Sequence, residues 1–129
     1  MIIDNRSNEP IFMQIAYQIE EQIIAGKYLS DKQIPSTAEL SELLTINPHT
    51  ILKGMNILVD EGILYKKRGI GLFVEKDARL RIVNKRRDQF TNNTILEIVN
   101  EAKKLDISKD EILTLIERSF NDDQNNESK

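Results

Sequence analysis

Phe12, Ile15, Ile19 and Ile23 recur at intervals of three and four residues, which predicts a helix with one buried face, opened by Pro10 and closed by Gly26. Ser36-Thr37-Ala38-Glu39 has the S-x-x-E form in which a hydroxyl and a carboxylate cap each other's backbone N–H groups. It predicts a second, short helix with Leu40, Leu43 and Leu44 inward. The stretch INPHTILKGMNILVDEG at 46–62 predicts a third. There Asn47 is the N-cap, Pro48 takes the first helical position, Ile46 reaches over the first turn to Ile51, and Gly62 gives a left-handed stop. At 100° per residue Ile51, Met55, Leu58 and Val59 fall on one side, and His49, Lys53, Asn56 and Asp60 on the other. Only Thr45 and Ile46 separate the second helix from the cap of the third, so the two form a helix-turn-helix.

Past Gly62 the pattern shortens. ILYKKRGIGLFV at 63–74 is rich in strand formers around Arg68-Gly69-Ile70-Gly71 and predicts a β-hairpin with a basic tip. On an arbitrary hairpin such a tip is a solvated turn; directly after a three-helix unit it invites a binding role. From Asp77 to about Leu105 one long helix is expected, with Asn92 and Asn93 as points of bending or breakage. Its first half is polar, and its second carries a stripe at Ile95, Ile98, Val99, Ala102 and Leu105. Ser108-Lys109-Asp110-Glu111 repeats the capping form and opens a last helix bearing Ile112, Leu113, Leu115, Ile116 and Phe120. Two amphipathic helices alone cannot hide both stripes, and a second copy of the chain is the natural cover. The final NDDQNNESK has no apolar residue and is expected to be disordered. The fold class is mainly α with a small β-hairpin.

A chain of 129 residues is one domain, or a small domain with an appendage. It has no cysteine, which removes disulfides and thiolate zinc sites and fits a reducing cytosol. No basic leader precedes an apolar core, and no apolar run reaches the ~18 residues of a membrane span, so a cytoplasmic protein with no membrane partner is expected. The net charge of −3 argues at first against a polyanionic partner. Its distribution argues the other way: residues 1–44 carry −4, residues 45–87 carry +6 and residues 88–129 carry −5. The cations gather where the third helix and the hairpin lie. Nothing in the sequence pairs a nucleophile with a base or assembles a metal set, so neither an enzyme nor a cofactor is expected. His49, the single histidine, has no ligand partner. Gly69 and Gly71 do not form a nucleotide loop, since no strand leads into a helix there. Lys85-Arg86-Arg87 reads as a solvated helix face before a DNA contact.

Taken in order and spacing, IPSTAEL at 34–40, INPHT at 46–50, DEGIL at 60–64 and KRGIGLFV at 67–74 resemble the GntR family of bacterial transcription regulators, and the short C-terminal part resembles its YtrA-like branch. The resemblance implies a winged helix-turn-helix DNA-binding domain at 9–76, a two-helix dimerisation segment at 77–120 and a disordered tail at 121–129. It further implies a dimeric, sequence-specific DNA-binding regulator, a repressor by analogy, reading a palindromic operator in double-stranded DNA as a homodimer. Helix 47–61 would enter the major groove and the 66–71 wing the minor groove. His49 and Lys53 would then reach base edges or flanking phosphates, Asn47 and Thr50 the backbone, and Ser36 and Thr37 would present a helix N-terminus to a phosphate. Arg68 and Gly69 would occupy the minor groove, with Lys66 and Lys67 adding general attraction. Ala38 departs from the arginine common in the family, so one phosphate contact is missing. The competing reading is a winged-helix protein-interaction module whose basic hairpin meets an acidic partner. No segment is large enough for a separate effector domain, which leaves a small-molecule effector in the dimer cleft as an open question.

Overall fold

The computed structural model describes residues 1–127. Its order is α1 (Ile11–Ile24), α2 (Thr37–Leu44), α3 (Pro48–Asp60), β1 (Leu64–Lys67), β2 (Gly71–Val74), α4 (Ala78–Gln89), a π turn (Phe90–Thr94), α5 (Ile95–Lys104) and α6 (Lys109–Glu127). The chain divides into two compact units, Met1–Lys85 and a second beginning at Arg86.

The first unit is built from the expected stops and starts. Gly26 and Gly62 both take left-handed φ values, +78° and +75°, and end α1 and α3. Ser36 Oγ accepts from the Glu39 N–H at 3.0 Å while the Ser36 N–H donates to Glu39 Oε1 at 3.3 Å, so both halves of the capping box are made. Thr45 at φ +54° turns the chain between α2 and α3, and Asn47 Oδ1 accepts from the His49 N–H at 2.8 Å to open α3. Apolar stripes then meet: Ile15 and Ile19 of α1, Leu40 of α2, and Ile51, Met55 and Leu58 of α3 are all buried in one core, closed by Ile63, Leu64 and Val74. The crossing of α1 on α3 is close. A Cβ on Gly54 would sit 2.7 Å from the Phe12 carbonyl oxygen, so only glycine fits that point of α3.

The hairpin pairs Leu64 with Val74 and Lys67 with Gly71 in antiparallel register. A third segment completes it: the Asp31 N–H donates to Val74 O, the Val74 N–H to Lys32 O and the Ile34 N–H to Leu72 O at 2.8–3.1 Å. Residues 31–34 carry no strand signature, and the pairing is dictated by the partner strand. Ahead of α1, Gln14 holds the opening segment by exchanging bonds with the Asp4 N–H and carbonyl and donating to Glu9 O.

The region read as one helix from Asp77 to Leu105 differs in two respects. Phe90–Thr94 is a π turn, in which the Ile95 N–H reaches back to Phe90 O. Threonine and asparagine are weak α-formers, and the surplus residue is taken up there rather than by a break at Asn92 or Asn93. The first two turns of α4, read as the start of a separate segment at 77, belong to the first unit, because Ala78 and Ile82 are buried in its core. Lys85 ties them further: its ammonium donates to Glu20, itself only 4% exposed, and to Glu61 Oε2 at 2.7 Å. Burial works against that charge, but the hydrogen bonds and fields of Glu20 and Glu61 prevail and raise the Lys85 pKa above 10.5. Lys85 is thus a half-buried ion-pair partner rather than a solvated cation.

In the second unit Ser108 Oγ accepts from the Glu111 N–H at 3.1 Å, as the capping form predicts. The last helix runs on to Glu127, beyond residue 120 where order was expected to end. Asn, Asp, Gln and Glu bring no breaker there, and neither glycine nor proline follows Ser108. The expectation of disorder for residues 128–129 lies outside the described residues. Ile95, Ile98 and Val99 of α5 and Ile112, Leu113 and Ile116 of α6 line an apolar groove of about 550 Å³. Among the described residues no helix is long and apolar enough to cross a membrane.

Candidate nucleic-acid interface

Three pieces of the first unit converge on a cleft of about 330 Å³: the start of α2 with Ser36, Thr37 and Ala38, the outer side of α3 with Leu52 and Asn56, and the hairpin with Lys66 and Gly71. The sequence explains each wall. The capping box sets the first turn of α2, and the Thr37 hydroxyl donates to Met55 Sδ at 3.4 Å, fixing that turn against α3. The α3 stripe buries Ile51, Met55 and Leu58 and thereby turns His49, Leu52, Lys53 and Asn56 to solvent. The hairpin is held by Gln33, whose amide donates to Ile70 O at 3.0 Å. Gly71, at φ +149°, leaves the space that this amide fills, since a Cβ there would lie 2.5 Å from Gln33 Nε2.

The expected site residues divide by what surrounds them. Ser36 and Thr37 stand at the cleft, Ser36 exposed and Thr37 half-buried. Asn47 and His49 are exposed at the start of α3, with the Asn47 side chain used as a cap, and Thr50 is half-buried. Lys53 is exposed, with its Nζ 4.0 Å above the Phe12 ring of α1. Lys67 Nζ lies 4.3 Å above the Phe73 ring, which stacks on Tyr65 with centroids 5.7 Å apart. Arg68 and Gly69 are exposed at the hairpin tip, with nothing within 4 Å of a Cβ built on Gly69. Tyr65 donates to Asp31 Oδ1 at 3.2 Å, and partial burial followed by the Asp31 carboxylate holds its phenol above the ordinary value.

Sequence reasoning placed Asn56 on the polar side of α3 without giving it a role, and it counted Lys66 only as general charge. Both line the cleft. The rings under Lys53 and Lys67 were missed, because the first lies forty-one residues away along the chain and the second depends on hairpin register. Chemically the surface offers ammonium, guanidinium and amide donors with small hydroxyls at a helix start. Such a set binds an extended polyanion. Among the described residues no group of three or more His, Cys, Asp or Glu side chains gathers as a metal ion would need.

The family description "Bacterial regulatory proteins, gntR family" matches residues 13–74. The chain is similar to the HTH-type transcriptional regulator YhcF of Bacillus subtilis, with 31% identity over 86% of this chain and 92% of that protein. It is also similar to the HTH-type transcriptional repressor YtrA of the same organism, with 35% identity over 63% of this chain and 62% of that one. Among solved structures, the AraR DNA-binding domain in complex with operator ORX1 superposes with a TM-score of 0.52 and 34% identity, covering 57% of this chain and 92% of that one.

Proposed function

The chain belongs to the GntR family of bacterial regulatory proteins, and we propose that it is a sequence-specific, DNA-binding transcription regulator that acts as a homodimer in the cytoplasm, a repressor by its likeness to YtrA. The observation that carries this reading is the cleft, where a capped helix start, the polar side of α3 and a basic hairpin meet on one unit. A similar domain in AraR was crystallised on its operator. In this reading α3 lies in the major groove, with His49, Lys53 and Asn56 toward base edges and neighbouring phosphates. Asn47 and Thr50 flank it on the sugar-phosphate chain, and Ser36 and Thr37 aim the α2 N-terminus at a phosphate. Lys66, Lys67, Arg68 and Gly69 follow the adjacent minor groove, where the negative potential draws arginine and the absent side chain of Gly69 permits close approach. The residues from 9 to 76, extended by the first turns of α4, form the DNA-binding domain, and the apolar helices of the second unit form the dimer contact.

Two copies are required by the arithmetic of recognition. One module contacts too few base pairs for useful discrimination, and a two-fold pair reads two half-sites about one DNA turn apart. The test is selection of bound duplexes from a random pool, followed by fluorescence-anisotropy titration of the winning site across salt concentrations. A Kd that weakens with log[salt] at about −0.9 per phosphate contacted is expected. Lys53→Ala should cost about 1–3 kcal/mol on the selected site. A pool that shows no enrichment, or a Kd indifferent to salt, would defeat the reading.

A further inference from the structure

Two lysines at this surface stand on aromatic rings that other elements supply. Lys53 projects from α3 over Phe12, the second residue of α1, at 4.0 Å, and Lys67 projects from β1 over Phe73 of β2 at 4.3 Å. The hairpin register pairs Tyr65 with Phe73 and Lys67 with Gly71, which sets Tyr65, Lys67 and Phe73 on one face. Both rings are half-buried and thus fixed by their surroundings, whereas both ammonium groups are exposed. The face of a benzene ring attracts an ammonium. Lysine otherwise carries a long flexible stem whose freedom is lost whenever its head is fixed on a ligand.

We infer that Phe12 and Phe73 are positioning residues for DNA recognition, holding the Lys53 and Lys67 ammonium groups in place before DNA arrives. The inference rests on the reading of α3 and the hairpin as DNA-contacting elements. Each ring occupies one side of its ammonium and leaves N–H donors on the other side for a phosphate or a base edge. Less side-chain freedom is then lost on binding, and the charge is delivered at a set distance from the helix or strand.

The full chain is tested on its selected duplex. Phe12→Leu and Phe73→Leu each keep apolar bulk and remove the ring face, and each should weaken binding about two- to fivefold, the size of an exposed ring–ammonium attraction. Phe12→Tyr and Phe73→Tyr keep the face and should restore wild-type affinity. The loss from Phe12→Leu should vanish when Lys53 is already alanine, and that from Phe73→Leu when Lys67 is alanine. Proton NMR of the free protein should show the ε-methylene signals of both lysines displaced upfield by the rings and returned to ordinary positions in the leucine variants. Binding that is unchanged or tighter in the leucine variants overturns the proposal, the tighter result meaning that the rings sequester the lysines. A loss that persists in the alanine backgrounds also overturns it, since it would reflect folding alone. Lys53→Ala and Lys67→Ala that bind as wild type sink the DNA-contact reading of these residues and this proposal with it. A weakening by those alanine variants without any effect of the leucine variants sinks this proposal alone.

Discussion

The two units of this chain handle their apolar residues in opposite ways. In the first, α1, α3 and the hairpin close over Ile15, Ile19, Ile51, Leu58 and Val74, although Leu43 of α2, expected to face inward, is 74% exposed. In the second, Ile98 is 39% exposed and Val99 40%, and Leu105, Leu113 and Phe120 are exposed further still. Scattered apolar residues on a surface are ordinary, but stripes on two successive helices that line one groove are not. The contrast teaches that local amphipathicity is the same signal in both places. What differs is whether the chain supplies the covering partner. The first unit finds one in itself, and the second leaves its stripes exposed, as the proposed dimer contact would require.

That contrast breaks most sharply at the groove. Ile98→Asp puts a carboxylate where two copies would meet, and a buried, unpaired charge costs several kcal/mol. Dimer dissociation should strengthen more than a hundredfold, read by light scattering as a fall from twice 14.9 kDa to that mass, while the thermal transition of the first unit stays in place. A wild-type mass that already equals a single chain at micromolar concentration would contradict the comparison. Within the first unit, Gly54→Val forces side-chain carbons against the Phe12 carbonyl and Ile15, and overpacking of this kind should destabilise by about 3 kcal/mol in urea denaturation. Next, Lys85→Met removes the ammonium that Glu20 and Glu61 share. With Lys85 and Glu61 both part-exposed, the cost should be about 2 kcal/mol, below that of a fully buried pair. The Lys85 pKa is raised on folding, so the folded state holds the proton more tightly. Its contribution is complete below pH 10.5 and is lost as pH rises through the folded value. Denaturation followed from pH 9 to 12 should show wild type losing stability faster than Lys85→Met. Smallest of all, Ser36→Ala removes the capping hydroxyl of α2 and should cost about 1 kcal/mol, measured by thermal denaturation.

Much of the first unit was legible because its signals are local. A capping box, a proline at the first helical position, and glycines after the last turn each act within four residues, and the structure uses Ser36, Glu39, Asn47, Pro48 and Gly62 as their positions suggest. What stayed hidden depends on distant partners. The pairing of residues 31–34 with β2, the clasp of Lys85 by Glu20 and Glu61, and the rings beneath Lys53 and Lys67 all join residues that no periodicity relates. The same holds for the end of the first unit. Composition shifts at 77, yet Ala78 and Ile82 are drawn back into the core, because two well-placed apolar side chains are enough to anchor a helix whose other faces are polar.

Gln33 and Gly71 divide the hairpin into a neck and a head. At the neck, a side chain on Gly71 would push the glutamine amide from its place against the Ile70 carbonyl. At the head, Gly69 meets nothing. The tip can therefore be rewritten at Arg68 and Ile70, changing what the arm touches, while Gly69, held at φ +78°, and the joint that aims the arm stay the same.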